Sequence, residues 1–275
     1  MAREGGAWIN AIQDGVGCPQ GSRMNDGSEI RDVFFAGALP MTSCGQAQGK
    51  DFYTPQAINL EFSEKYDLDH AQHYFKKHRA GFSRRLSTWR EVGIARRALE
   101  LAGDPCVVLD LPCGAGRFWP MLAEKPDRRI LAADNSEQML QVAAQMQPRG
   151  LVERVERFQC SAFEIKLADG SVDCIFCMRL LHHLIEPSHR LAMLREFHRV
   201  TRGTVCLSLW VDGNYQAYRR AKLEARRSKA GPQNRAVVKR QTIESEFMQA
   251  GFRVEGHFDF LRFYSMWRIY VLHKE

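Results

Sequence analysis

The sequence has no run approaching the roughly 18 consecutive apolar residues that a membrane-spanning helix needs, so no span is expected. It also lacks the apolar segment of a secretory signal: MAREGGAWINAIQDGVGCPQ carries charges and glycines throughout. Without such a signal, the eight cysteines do not read as a disulfide framework. Cys106, Cys160, Cys174, Cys177 and Cys206 fall in apolar, strand-like stretches, where free cysteine behaves as a small hydrophobe. A reduced, cytoplasmic protein is expected. Metal-ligand spacing is nearly absent as well. The tempting pair, Cys174 and Cys177, lies in one strand-like run, and residues three apart on a strand point to opposite faces. No metal site is expected.

Acidic residues are in the minority, 32 against 39 Lys and Arg, for a net charge of +7. Such an excess bears on partners only where it clusters. It does so between Arg219 and Arg240, where Arg219, Arg220, Lys222, Arg226, Arg227, Lys229, Arg235, Lys239 and Arg240 face the single acid Glu224. Two readings stay open: a solvated helix face, or a receptor for an anionic acceptor such as a phosphorylated small molecule, a lipid head group or RNA. No aromatic platform is interleaved with these charges in the sequence, which favours a small or lipid-linked anion over RNA.

Regular patterning is missing from residues 1–50, which are rich in Gly, Ser, Gln and Asn, and a disordered leader is expected there. Residues 51–102 are expected to form a helical N-terminal cap, with Trp89, Val92, Ala95 and Leu99 as its apolar stripe. Ahead of that stripe, Tyr66, Tyr74, Phe75 and Phe82 alternate with His70, His73, Lys76, Lys77, Arg79, Arg84 and Arg85. This is either a basic helix packed on a domain or a lid over a ligand site.

Residues 103–275 alternate strand and helix patterns. The strands are expected at Val107–Leu111, Arg129–Asp134, Phe158–Ala162, Val172–Leu181 and Thr204–Trp210. Asn135 as N-cap, with Gln138 three residues on, makes a capping box. Pro187 suits the first position of the next helix, whose stripe is Leu191, Leu194 and Phe197. Such alternation implies parallel βαβ units. A helix at Thr242–Ala250, closed by Gly251, then precedes strands at Phe252–Leu261 and Ser265–His273, close enough in sequence to pair antiparallel. The predicted fold is α/β: a doubly wound, mostly parallel seven-stranded sheet with an antiparallel C-terminal hairpin, an N-terminal helical lid and a basic insertion at about 213–240.

The chemistry concentrates where the first strand ends, at Leu109-Asp110-Leu111-Pro112-Cys113-Gly114-Ala115-Gly116-Arg117-Phe118. Ligands of doubly wound sheets bind at this edge, and glycines let a ligand approach the backbone. The Lys-Ser/Thr of a P-loop is missing, since Arg117 and Phe118 follow Gly116. The third glycine of a dinucleotide fingerprint is missing too: Trp119 stands there. Asp134 ends the second strand at the spacing where an acid meets a ribose hydroxyl.

The pattern Asp110, Pro112, Gly114, Gly116 resembles the D-x-(G/P)-x-G-x-G motif of class I S-adenosylmethionine (SAM)-dependent methyltransferases. The resemblance runs from about Arg97 to Lys274 and is nearest to a small-molecule subgroup that includes quinone-biosynthesis enzymes. It implies that SAM is the cofactor, with Asp110, Pro112, Gly114 and Gly116 on its methionine part and Asp134 on its ribose. Asn135 and Met139 would border the adenine, as would Ser161, Ala162 and Phe163, with Ser161 standing where an Asp is usual. Met178 would close the cofactor site, beside Arg179, His182 and His183 as candidates for catalysis near the reacting methyl. Each histidine is equally open to a structural role. Cys177-Met178-Arg179-Leu180 does not resemble the Asn/Asp-Pro-Pro-Tyr sequence of nucleobase amino-methylating relatives, which argues against such amino groups as acceptors. The expected activity is methyl transfer to a small or lipid-linked, anionic acceptor at oxygen. The alternatives are tRNA methylation and a non-catalytic SAM-binding module.

Overall fold

The computed structural model describes residues 82–226 and 235–275. The expected leader, the aromatic and basic residues ahead of Phe82, and part of the basic insertion (Arg227 and Lys229 included) lie outside the described residues.

The described chain begins with helix α1 (Phe82–Leu101) and continues as β1 (Val107–Asp110), α2 (Trp119–Leu122), β2 (Arg129–Asp134), α3 (Glu137–Met146), α4 (Arg149–Val152), β3 (Val155–Gln159) and β4 (Val172–Cys177). A 3-10 turn (Leu181–His183) leads to α5 (Pro187–Val200), β5 (Thr201–Trp210) and α6 (Tyr215–Ala225). The chain closes with α7 (Arg240–Gln249), β6 (Phe252–Asp259) and β7 (Trp267–Lys274). The seven strands form one sheet in the order β3-β2-β1-β4-β5-β7-β6. The pairs from β3 to β5 are parallel, and β7 runs antiparallel to both β5 and β6. This is the architecture expected from the alternating pattern.

Successive residues of the central strands enter opposite core layers. Leu109, Ile175, Cys177 and Leu207 pack with Phe197 of α5 and Phe247 of α7. Val108, Cys174, Phe176 and Cys206 pack with Ile94 and Leu99 of α1 and with Trp119. Cys174 and Cys177 therefore lie on opposite faces, as their spacing requires. Among the described residues the six cysteines are free, no cluster of His, Cys, Asp or Glu could hold a metal ion, and no helix is long and apolar enough to cross a membrane.

Several boundaries differ from the sequence reading. β3 spans Val155–Gln159 rather than Phe158–Ala162. It is an edge strand whose mostly exposed residues hide the apolar signal, and its register is fixed by β2, Ile130 facing Val155 and Asp134 facing Gln159. β4 stops at Cys177 because Arg179 takes a left-handed backbone (φ 67°). The N-cap of α3 is Ser136, not Asn135: its Oγ accepts the Met139 N–H at 3.3 Å. On α1, Trp89 is 72% exposed, and the buried face is instead Glu91, Ile94, Ala95, Ala98 and Leu99. On α5, Leu191 is only half-buried, while Arg190 joins the inner face by pairing with Glu246 of α7 at 2.6 Å.

Candidate functional site

The turn after β1 is held from three sides. The Cys113 N–H donates to the Ala133 carbonyl at 2.9 Å, and the Gly114 N–H to Asp134 Oδ2 at 2.9 Å. Gln147, just past α3, donates from Nε2 to the carbonyls of Ala115 (3.0 Å) and Gly116 (3.1 Å). Gly114 and Gly116 have φ of 53° and 68°, a region that favours glycine. A Cβ at Gly116 would stand 2.6 Å from the fully buried Trp119 ring, so the indole that denies the chain a dinucleotide fingerprint is the floor of this turn.

Two buried carboxylates lie beneath the turn. Asp110 is 1% exposed, and among the described residues neither of its oxygens has a hydrogen-bond partner. Burial, then the charge of Asp134, push its carboxyl well above the usual range; the nearby Trp119 indole opposes this without a full hydrogen bond. Asp134 is raised by burial as well, offset by the N–H groups it accepts from Ser136 and Gly114. An unpartnered buried carboxyl is costly, and a cationic or donor group would satisfy it.

The residues expected around adenine stand at the carboxyl ends of β2 and β3. Met139 packs with Ala115 and Val142, its Cε 3.5 Å from where a Gly114 Cβ would be. Asn135 is exposed and its carbonyl accepts from Gln159 Nε2 at 2.9 Å. Ser161 Oγ accepts the Phe163 N–H at 3.2 Å, Ala162 is buried, and the Phe163 ring meets His189 edge-on. Pro112 is half-buried in the turn itself, and Met178 is buried just past β4.

A second constellation was invisible in the sequence. Glu91 of α1, 8% exposed, accepts from Arg179 Nε (2.8 Å) and Nη2 (2.6 Å) and also from Arg117 Nη2. Burial by itself would raise the Glu91 carboxyl; the bonds and charges of the two arginines outweigh it and hold it below the usual range. The left-handed Arg179 donates its N–H to Ser208 Oγ at 2.8 Å. Helix α1, the glycine turn and the ends of β4 and β5 are thus tied together. Beside this knot opens a cavity of about 340 Å³, with Glu91, Arg179, Ser208, Phe258, Phe260 and Trp267 among its walls. Glu91, Gln147 and Ser208 gave no sequence signal, because each acts across 29 to 88 residues of chain.

The two histidines differ. His182, 3% exposed, sits in an aromatic cluster, stacked on Trp210 at 4.8 Å with His183 at 4.1 Å and Trp267 at 4.9 Å. Burial, then the charges of His183, Arg235 and Arg179, push it down to about 2, which leaves it too weak a base to take a proton near neutral pH. His183 is half-buried beside it. Arg220 and Arg235 also place their guanidinium groups 5.1 and 5.6 Å from the Trp210 ring, which ties two residues of the basic segment to this edge.

The model of a methyltransferase domain family matches residues 108–203, the stretch that carries the glycine turn, Asp134 and the turn after β4. The same architecture is found in the magnesium protoporphyrin IX methyltransferase of Synechocystis PCC 6803 with bound SAH (TM-score 0.61, 16% identity, 78% of this chain and 98% of that one). Residues 108–203 thus match a methyltransferase domain, and the fold around them is that of SAM-dependent methyltransferases. The apo form of the SAM-dependent methyltransferase SibL has the same fold (TM-score 0.54, 20% identity, 70% of this chain, 57% of that one). In sequence, the chain is 24% identical over 179 residues to the tRNA (carboxymethyluridine(34)-5-O)-methyltransferase ALKBH8 of Mus musculus, across 64% of this chain and 25% of that protein. The chain spans about a quarter or less of the length of the curated relatives it matches.

Proposed function

We propose that this methyltransferase moves the methyl group of SAM to an oxygen of an acceptor seated in the cavity between α1, β5 and the β6–β7 hairpin. The observation that carries the reading is the orphaned Asp110 beneath a turn in which Gly114 and Gly116 present no Cβ, a turn tied to that cavity by Arg117, Glu91 and Arg179. The residues fit the cofactor. Asp110 offers an uncompensated carboxyl to the ammonium of its methionine part, and Gly114 and Gly116 admit it close to the backbone, with Pro112 completing the turn. Asp134 keeps free lone pairs for ribose hydroxyls. Asn135, Met139, Ser161, Ala162, Phe163 and Met178 would bound the rest. When bound, SAM supplies a methyl group already activated by its sulfonium.

The protein's own work is then positioning and exclusion of water. Glu91 fixes Arg179 at the cavity wall. His182 packs the floor rather than moving a proton, and His183 is the candidate base. Because Glu91 is held ionised and His182 is so weakly basic, the site favours an acceptor oxygen that ionises by itself, such as an acidic hydroxyl or a carboxylate. A small or lipid-linked acceptor meets that requirement. A second reading, an acidic oxygen carried on RNA, is supported by the likeness to the mouse tRNA methyltransferase. The test is calorimetry with SAH, followed by labelled-methyl transfer from SAM to cell extracts separated into small-molecule, lipid and RNA pools. Absence of both heat and a thermal upshift would sink the proposal.

A further inference from the structure

The exposed side of α6 carries Tyr215, Tyr218, Arg219, Lys222 and Arg226. These are spaced i, i+3, i+4, i+7 and i+11, so they form one aromatic and basic stripe. The turn between β6 and β7 extends it. Tyr264 stacks on Tyr215 with ring centroids 5.6 Å apart and planes 20° apart, and Phe263, 72% exposed, lies under the Arg262 guanidinium at 4.7 Å. Backbone bonds from the Tyr215 N–H to the Phe263 carbonyl (2.9 Å) and from the Gln216 N–H to the Tyr264 carbonyl (3.0 Å) lock helix and turn into one surface.

Phe263 has a φ of 61°. A bulky residue in the left-handed region is strained, and here the strain holds an apolar ring in water. Arg219, Lys222, Arg226 and Arg262 make no ion pair among the described residues, whereas Arg220 on the inner side is bound to Glu224 at 2.7 Å. The sequence hides this platform, since Phe263 and Tyr264 lie far along the chain from the basic run and only the fold interleaves them.

We propose that this surface of α6 and the β6–β7 turn binds single-stranded RNA, its bases stacking on Tyr215, Tyr218, Phe263 and Tyr264 and its phosphates meeting the four unpaired cations. Flat aromatic faces set between mobile cations are how unpaired strands are held, and unpaired, splayed bases are chiefly presented by RNA loops. A membrane-surface helix would need a continuous apolar face. On α6 the only exposed aliphatic large side chain is Leu223. The surface also borders the cavity, whose walls include Gln216, Leu261 and Ser265. An RNA held there can deliver a nucleotide to the acceptor position. That delivery rests on the proposed methyl transfer, whereas the binding does not.

Fluorescence anisotropy with the full chain and a labelled single-stranded RNA of about 12 nucleotides, within the usual span of such grooves, tests it. Binding is expected, with log K falling against log salt at a slope of roughly −3 for four neutralised phosphates. Tyr218→Ala and Phe263→Gly should each weaken it about tenfold, the latter while relieving the backbone. Both variants should keep the parent's thermal upshift with SAH, which reports an intact fold and donor site. No RNA binding, binding untouched by both aromatic substitutions, or binding only to vesicles containing phosphatidylserine would each overturn the proposal. RNA binding by a chain that shows no response to SAH would instead strike the methyl-transfer reading and leave this one standing.

Discussion

Asp110 is shielded from water yet has nothing to bond to, and that combination sets its titration. Its folded value lies well above the ordinary 3.8. As pH rises above that ordinary value the unfolded chain releases a proton that the fold retains, so this contribution to stability is complete below it and is lost on the way up to the folded value. Asp110→Asn removes the loss. The ligand-free variant is expected to melt higher than the parent at about pH 8 and to converge with it toward pH 4, in thermal scans across pH. For Asp134 the expectation concerns ligand affinity. Asp134→Ala removes a charged acceptor worth roughly 1.5–3 kcal/mol, so affinity for SAH by calorimetry should fall about ten- to a hundredfold with the fold retained. For His182, the expectation is that His182→Phe keeps the shape of the pH–rate profile. Loss of an acidic limb in that variant would show that the imidazole does take a proton.

At the scale of elements, two buried carboxylates do similar mechanical work in different places. Glu246 joins α7 to α5 through Arg190, with both side chains about 5% exposed or less. Glu91 joins α1 to the glycine turn and to the end of β4. Removing one partner of such a pair leaves a buried charge and costs about 3 kcal/mol or more. Urea denaturation should therefore find Glu246→Ala and Glu91→Ala similarly destabilised. Only Glu91→Ala should also lose methyl transfer, because it frees Arg179 from the cavity wall. Equal residual activity in both variants would remove Glu91 from the site.

On the scale of the whole molecule, a cofactor that binds only the folded chain must stabilise it by mass action. At about a hundred times its Kd, SAH should add roughly 2.7 kcal/mol, or a few degrees in Tm. The sequence by itself determined the sheet and brought together the residues proposed to hold the cofactor. Short apolar runs alternating with helix patterns leave few topologies. Asp110, Pro112, Gly114 and Gly116 are neighbours in the chain, so their spacing is their geometry. It erred at β3, because an edge strand is half solvated, and at the cap of α3, where Asn135 and Ser136 are adjacent and equally able. The tertiary structure alone decided what faces the acceptor. Glu91 with Arg179, Ser208 with Arg179, and Tyr264 with Tyr215 meet across long stretches of chain, and residue spacing carries no record of contacts made only when the sheet closes.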